Sequence, residues 1–161
     1  MKVAIIMGSK SDFEVIKDGI DFLEDFGISY EVRALSAHRT PDELEEYMAY
    51  LEKENVDVII GAAGKAAHLP GVIASKTILP VIGLPIKSST MDGLDSLLSI
   101  VQMPKGIPVA TVAINGSLNS AILATQIMSL KYPVLKEKLI DYKKQMAKKV
   151  IEDDMYIKSN Y

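Results

Sequence analysis

The 161-residue chain contains no cysteine and no tryptophan, and it has only two histidines. The absence of cysteine excludes disulfide bonds and thiolate-ligated metals, and it is typical of a reducing compartment, so we expect a cytoplasmic protein. No apolar stretch approaches the roughly 20 residues that a membrane span needs, and the apolar start Met1–Gly8 is too short for a signal peptide. The net charge of −3 gives no electrostatic reason to expect a nucleic-acid partner.

The remaining composition is that of a packed domain. Hydrophobic residues make up 48% of the chain, and no linker, internal repeat or low-complexity stretch interrupts it. We therefore predict a single domain over residues 1–161, with an α/β core over 1–130 and a C-terminal helix over 133–155.

Short apolar runs alternate with amphipathic segments along the chain. Strands are predicted over 3–7, 30–35, 56–61, 81–84 and 109–114, and helices over 12–26, 41–54, 66–76, 94–101 and 117–130. Strict alternation with short links predicts a parallel sheet with helices on both faces. The five-stranded form is a three-layer α/β/α, doubly wound, flavodoxin-like fold, whose ligands bind beyond the carboxyl ends of the strands.

Two helices carry more apolar surface than one sheet can cover. The helix over 117–130 is apolar on several sides, which indicates burial against more than one neighbour. The last helix keeps an apolar stripe of Leu135, Leu139, Tyr142, Met146 and Val150, with lysines on its other faces. We expect this helix to cover either its own sheet or a neighbouring subunit.

Polar residues follow the first strand in the segment Gly8-Ser9-Lys10-Ser11-Asp12. Two hydroxyl groups and the free N–H groups of a helix start could bind a phosphate, and Asp12 could accept bonds from sugar hydroxyls. Alternatively, Ser11 or Asp12 only caps the helix. The segment matches neither the P-loop nor the Gly-x-Gly-x-x-Gly fingerprint, which argues against a nicotinamide cofactor.

The second strand is followed by Ser36-Ala37-His38-Arg39-Thr40-Pro41. Thr40 and Pro41 predict a helix start, with Thr40 as the cap and Glu43 completing a capping box. Arg39 can bind a phosphate or carboxylate through two N–H groups, or it can form an ordinary surface ion pair. Histidine gives and takes protons near neutrality, so His38 is the candidate acid/base, unless both histidines are structural.

Two later segments could complete a pocket. The run Gly61-Ala62-Ala63-Gly64, ahead of His68, is small enough for a planar ligand to approach closely, and residues 87–93 form either a hydroxyl-bearing lid or a plain surface loop. No spacing typical of metal ligands and no Gly-x-Ser-x-Gly motif is present. The residues alone therefore indicate a phosphate-bearing small molecule and proton transfer by His38.

Five ordered segments resemble one known family, the catalytic subunit of phosphoribosylaminoimidazole carboxylase of de novo purine synthesis. The matching segments are Met7-Gly8-Ser9-Lys10-Ser11-Asp12, Ser36-Ala37-His38-Arg39-Thr40-Pro41, Ala66-Ala67-His68-Leu69-Pro70-Gly71, residues 95–104 and residues 106–111. In this family, one type converts N5-carboxyaminoimidazole ribonucleotide to 4-carboxyaminoimidazole ribonucleotide. Arg39 and the segment 66–71 resemble this mutase type, because the direct carboxylase type has Lys at that position and lacks that segment.

The resemblance implies a role for each candidate. His38 would be the catalytic acid/base, Ser9 and Asp12 with Arg39 would hold the ribose and phosphate, and Ser11, Ser36 and His68 would complete the substrate pocket. It also implies a ribonucleotide substrate, no cofactor, no metal, and a homo-octamer in which the C-terminal helix packs on neighbouring subunits.

The chain departs from the family pattern at two places. Lys65 stands where the family commonly has Gly, and the stretch Ala113–Ser120 is about two residues shorter than usual. Two other functions stay open: direct carboxylation of aminoimidazole ribonucleotide with carbon dioxide, and a non-catalytic, flavodoxin-like phosphate- or nucleotide-binding module.

Overall fold

The computed structural model describes residues 1–161, which form five strands and six α-helices. The strands are β1 (Lys2–Met7), β2 (Ser29–Ala34), β3 (Val58–Gly64), β4 (Val81–Ile86) and β5 (Ala110–Thr111). The helices are α1 (Phe13–Asp25), α2 (Pro41–Leu51), α3 (Leu69–Ala74), α4 (Leu94–Val101), α5 (Ser117–Ser129) and α6 (Pro133–Asn160). Two short 3-10 turns, Lys10–Asp12 and Met91–Gly93, lead into α1 and α4.

The five strands form one parallel sheet in the order β2-β1-β3-β4-β5. This is the doubly wound, flavodoxin-like order that the alternation predicts, and the fold class is confirmed. The chain moves outward from β1 to β2 and then returns past β1 to β3. The strand order therefore reverses between β1 and β3, where a crevice opens at the carboxyl ends.

Alternate residues of each strand belong to two separate cores, one on each face of the sheet. Val3 and Ile5 of β1 pack with α1, α5 and α6, whereas Ala4 and Ile6 pack with α2, α3 and α4. Helices thus cover both faces, and the central strands β1, β3 and β4 are almost completely buried. This burial explains why the sequences of those strands are continuous apolar runs.

The predicted boundaries of β3 and α3 are wrong. Strand β3 begins at Val58 rather than Val56, and it continues through the small residues to Gly64. The Gly61–Gly64 run is therefore part of the sheet rather than a loop after it. Gly61 lets α3 lie close to the sheet, since a Cβ there would be 3.2 Å from the Pro70 backbone. Helix α3 is correspondingly shorter than predicted.

Strand β5 has two residues instead of the predicted six. Its ladder with β4 includes the bond from the Val112 amide to the Gly83 carbonyl, 3.1 Å long. The next donor on β4 would be residue 85, which is a proline and has no N–H group. The pairing therefore ends there, although β4 itself continues to Ile86.

Helix α6 is longer than predicted, because it continues to Asn160 instead of ending near residue 155. Only Leu135 and Leu139 of this helix are buried, and Tyr142 is half-buried against Phe22 and Phe26. Every residue from 143 onward is exposed. None of the helices combines the length and apolarity that a membrane crossing requires.

Candidate active site

A cavity of about 610 Å³ lies at the carboxyl ends of β1 to β4. Four loops line it, one after each of these strands, and most of its lining residues are small or polar. They are Gly8, Ser9, Ser11, Asp12, Ser36, Ala37, His38, Arg39, Ala63, Gly64, Lys65, Ala66, Leu69, Ile86, Lys87, Ser88 and Ser89. The cavity thus includes the point where the strand order reverses, as expected for a ligand site in this fold.

The two histidines of the chain meet at this cavity. His38 Nε2 lies 3.0 Å from His68 Nδ1, and the two rings stand nearly perpendicular, at 72°. His38 precedes α2 and His68 precedes α3, and both helices pack on the same face of the sheet. A hydrogen bond of this length needs one N–H group and one lone pair, so at most one of the two rings is doubly protonated in this geometry.

The loop after β1 is held by its own side chains. Ser9 Oγ accepts a bond from the Ser11 amide at 3.3 Å, and Ser11 Oγ lies 2.9 Å from Ser9 Oγ and 3.2 Å from Asp12 Oδ1. Ser9 therefore caps the 3-10 turn, whereas Asp12 makes no capping bond to α1. Burial raises the pKa of the Asp12 carboxyl above its usual value, and the bond from Ser11 opposes this effect.

Arg39 bridges the loops after β2 and β1. Its Nη2 donates to the Gly8 carbonyl at 3.1 Å, and its backbone N–H donates to Ser36 Oγ at 3.2 Å. The guanidinium group is exposed and has five N–H donors, so most of them remain free for an anion in the cavity.

Thr40 is the N-cap residue of α2 and Pro41 is at its first position, as predicted, but the Thr40 side chain makes no capping bond to the helix. Its Oγ1 accepts from the Ser36 amide at 2.8 Å and donates to the Ser36 carbonyl at 3.2 Å. These two bonds close the five-residue loop that carries His38 and Arg39. Because the Thr40 hydroxyl group bonds to Ser36 in both cases, it does not bond to the start of α2, and no capping box with Glu43 forms.

The cavity wall beyond β4 was only partly foreseen. Ser88 and Ser89 line the cavity, which agrees with the prediction of a hydroxyl-bearing segment there. Lys87, the first residue of that segment, also lines the cavity, and its backbone N–H donates to Asn115 Oδ1 at 2.8 Å. Asn115, at φ 56°, also donates its own amide to the Pro85 carbonyl. The Asn115-Gly116 pair, a common turn signal, was the one hint in the sequence that this loop anchors its neighbour.

The structure brings all seven candidate residues together. Six line the cavity: Ser9, Ser11, Asp12, Ser36, His38 and Arg39. The seventh, His68, is bonded to His38. Nowhere do three or more His, Cys, Asp or Glu side chains meet in a way that could hold a metal ion. The fold and site define a parallel α/β protein with a histidine pair beside an anion-compatible cavity.

A family model described as AIR carboxylase matches residues 2–149, and the chain belongs to this family. It is 59% identical over 150 residues to the N5-carboxyaminoimidazole ribonucleotide mutase of Pyrococcus horikoshii, covering 93% of the chain and 85% of that protein. It is 50% identical over 150 residues to the phosphoribosylaminoimidazole carboxylase of Schizosaccharomyces pombe, covering 93% of the chain but 27% of that protein. The crystal structure of Treponema denticola PurE matches with a TM-score of 0.88 and 32% identity, covering 96% of each chain.

Proposed function

We propose that this protein is an N5-carboxyaminoimidazole ribonucleotide mutase of purine biosynthesis, an isomerase that forms 4-carboxyaminoimidazole ribonucleotide. The supporting relative is the Pyrococcus protein of that name, which most of the chain matches. The observation that carries the proposal is the contact between His38 and His68 in a cavity that also contains Arg39. A proton-transfer group and an anion-binding group thus occupy the same small space.

The reaction requires one proton to move and no electrons to be gained or lost. The bond between the carboxyl carbon and the exocyclic nitrogen breaks, carbon dioxide is released, and the nitrogen keeps the electron pair and takes up a proton. The ring carbon then forms a bond to the carbon dioxide and loses its own proton. A single group that gives and then accepts a proton therefore suffices, and we assign this role to His38.

His68 is in a position to adjust the proton on His38. Because their ring nitrogens are 3.0 Å apart, the protonation of one ring decides whether the facing nitrogen of the other donates or accepts. No cofactor enters this scheme, since the substrate itself carries the carboxyl group. Keeping carbon dioxide in a small cavity gives it a high effective concentration, which is worth several kcal/mol in favourable cases.

The remaining candidates would hold the ribonucleotide. Ser9, Ser11 and the start of α1 supply hydroxyl and N–H donors for a phosphate, and Asp12 supplies an acceptor for ribose hydroxyls. Arg39 supplies a cation whose free N–H groups fit a phosphate. Ser36 holds the Arg39 backbone in place, so it contributes through the loop.

The alternative is direct carboxylation of aminoimidazole ribonucleotide, which is supported by the name of the Schizosaccharomyces pombe relative. The two reactions share a product and differ in the source of the carboxyl group. Formation of 4-carboxyaminoimidazole ribonucleotide should be followed by ultraviolet absorbance with each substrate in parallel. We expect product from N5-carboxyaminoimidazole ribonucleotide and little from aminoimidazole ribonucleotide with bicarbonate. Efficient use of the second mixture would favour the carboxylase.

The assembly and location of the protein are also proposals. We expect a homo-octamer, as the family resemblance implies, and the apolar side chains that α6 leaves exposed beyond Tyr142 support self-association. We treat residues 1–161 as one domain, with a core over 1–130 and a subunit-contacting helix over 133–155. The absence of cysteine supports a cytoplasmic location.

A further inference from the structure

Lys65 adopts a backbone conformation that is unfavourable for its residue type. Its φ angle is 56°, in the left-handed region where the Cβ atom of an L-residue is crowded. The backbone is held there by the Ala67 amide, which donates to the Lys65 carbonyl at 2.8 Å, and by the Ser99 hydroxyl at 3.5 Å from the same oxygen. Glycine would fit this position without strain, so the lysine side chain calls for an explanation.

Lys65 is also the one cation of the cavity that has no partner within the protein. Arg39 donates to the Gly8 carbonyl, and Lys87 forms a 3.1 Å ion pair with Asp92. No carboxylate of the chain lies within 4.0 Å of the Lys65 ammonium group. An unpaired cation at the wall of a cavity attracts an anionic group of a bound ligand.

The position of Lys65 in the fold separates it from the other anion-binding residues. The loops of Arg39 and Ser9 follow β2 and β1, whereas Lys65 follows β3 and is three residues before His68. Two strand spacings, roughly 10 Å, lie between β2 and β3. The cavity thus has one cation, Arg39, next to His38 on the loop after β2, and another, Lys65, on the segment after β3 that carries His68.

We infer that Lys65 binds the migrating carboxyl group of the ribonucleotide and so determines the preference of the site for carboxylated ligands. This inference rests on the proposed function. The carboxyl group leaves a nitrogen attached to the imidazole ring and joins a ring carbon whose proton goes to His38. It therefore stays near the histidine pair, whose His68 is on the same segment as Lys65, while the phosphate lies at the loop after β1 that carries Ser9 and Ser11.

The charge of Lys65 acts on the carboxylate but hardly on neutral carbon dioxide. It therefore stabilises bound substrate and product more than the state in which the carbon dioxide is free. Removing the charge should raise KM for the carboxylated substrate and should not lower kcat, because the lost interaction stabilises the bound substrate more than the carbon dioxide state that follows it. Raised salt should weaken substrate binding to the wild type more than to a variant without this charge.

The test compares two ligands that differ only in the carboxyl group, 4-carboxyaminoimidazole ribonucleotide and aminoimidazole ribonucleotide. Calorimetric titration would measure both with the wild type, Lys65→Gln, Lys65→Arg and the control Lys53→Gln, which removes an exposed charge outside the cavity. We expect Lys65→Gln to weaken the carboxylated ligand about three- to tenfold and to leave the other ligand unchanged. Lys65→Arg and Lys53→Gln should bind both ligands as the wild type does.

Three results would overturn the inference. If Lys65→Gln bound both ligands more weakly by the same factor, the lysine would be at the phosphate. If it bound both ligands with wild-type affinity, the lysine would be a solvated surface residue. A wild type that neither binds these ligands nor converts the substrate would contradict the proposed function as well. The variant Lys65→Gly tests whether the effect is structural. It removes the strained Cβ, so its melting temperature should not fall. Its affinity for the carboxylated ligand should nevertheless fall as much as that of Lys65→Gln.

Discussion

At the scale of single residues, the functional assignment depends most on the histidine pair. His38 and His68 are both exposed, and their contact joins two loops without filling a core. Replacing either ring should therefore leave the fold intact. A loss of activity in such a variant then reports the loss of a proton-transfer group and not unfolding.

We expect His38→Asn to lower kcat by about 10²- to 10⁴-fold, because it removes the group that carries the proton. His68→Asn should lower kcat less, since it changes only the partner of His38. Turnover of N5-carboxyaminoimidazole ribonucleotide would measure both effects, with the melting temperature of each variant as the control for folding. If His38→Asn kept full activity, another group would have to carry the proton.

Asp12 couples stability to pH at the same site. Burial raises its pKa, so the folded protein holds this proton more tightly than the unfolded chain does. Stability contributed by Asp12 is therefore lost as the pH rises from about 4, the usual pKa, through the raised value. Asp12→Asn should be more stable than the wild type at pH 7, and this gain should vanish near pH 3.

Denaturant unfolding at the two pH values would measure this difference. The same variant should bind the ribonucleotide about tenfold more weakly, because it loses a charged acceptor for the ribose hydroxyls. A variant that is less stable at pH 7 would show that the carboxylate is stabilised by partners that outweigh its burial.

At the scale of elements, helix α1 lies against the start of α5 at a position where only glycine fits. The Gly19 amide donates to Ser117 Oγ at 3.1 Å, and the same hydroxyl donates to the Ile16 carbonyl at 3.0 Å. A Cβ at residue 19 would be 2.6 Å from Ser117 Oγ. This contact is buried and brings α5 onto the core.

Gly19→Ala should destabilise the protein by about 1–3 kcal/mol through overpacking, although alanine is the better helix former by about 1 kcal/mol. The neighbouring substitution Asp18→Ala, on the exposed side of the same helix, should change stability by less than about 0.5 kcal/mol. Chemical denaturation of both variants measures the contrast. A stabilised Gly19→Ala protein would mean that α5 can move away at little cost.

Asp57 joins the start of the sheet to the link between α5 and α6. Its carboxylate accepts bonds from Lys131 Nζ at 2.8 Å, from the Lys2 amide at 3.1 Å and from the Tyr132 hydroxyl at 3.2 Å. Burial alone would raise its pKa, but the bonds from Lys131, Lys2 and Tyr132 outweigh burial and lower it. The ionised carboxylate therefore stabilises the fold at neutral pH.

Asp57→Asn should cost about 1–3 kcal/mol at pH 7, since charged hydrogen bonds are lost. The pKa is lowered on folding, so the wild-type contribution is present above about pH 4 and is lost as the pH falls through the lowered value. The two proteins should thus approach equal stability in acid. Asp141→Asn, which removes only an exposed ion pair with Lys144, is the matched control and should have almost no effect. A pH-independent difference would contradict this account.

The sequence predicted elements best where one periodicity dominated. The amphipathic pattern located α4 at Leu94–Val101 and α5 from Ser117 onward, as observed. One boundary failed where a distant partner decides the structure: the missing N–H group of Pro85 ends the pairing of β5. Strand β5 and residue 85 are neighbours only after the sheet has formed.

The candidate site was predicted more completely than the boundaries, because loops after parallel strands share one edge of the sheet. Contacts between side chains that are distant in sequence could not be predicted. One of them is the hydrogen bond between His38 and His68, which are 30 residues apart. Nor could it foresee that Lys65 is held at positive φ by Ala67 and Ser99.

At the scale of the whole molecule, the outer part of α6 has no role in the fold of a single chain. Residues 143–160 would extend roughly 27 Å as a helix, and none of them is buried. Their exposed apolar side chains include two pairs four residues apart, Met146 with Val150 and Ile151 with Met155. Such a surface is more apolar than a solvated helix needs.

A chain that ends at Tyr142 should fold but assemble into smaller particles than the full chain. Light scattering after size-exclusion chromatography would measure the mass, and cooperative unfolding would show that the core is intact, because Leu135 and Leu139 are retained. A control chain that ends at Asn160 loses only the exposed Tyr161 and should keep the full mass. An unchanged mass for the shorter chain would mean that assembly, if any, uses another surface.

Because the only two histidines of the chain are in contact at the cavity, the signals of their rings report on this site alone. A magnetic resonance spectrum of the ring nitrogens would contain signals from two imidazoles, both from the cavity and neither from the rest of the molecule. Ligand binding, tautomer changes and proton exchange at the site could therefore be followed without a label at a chosen position. In most proteins of this size, such signals have to be sorted from those of histidines elsewhere.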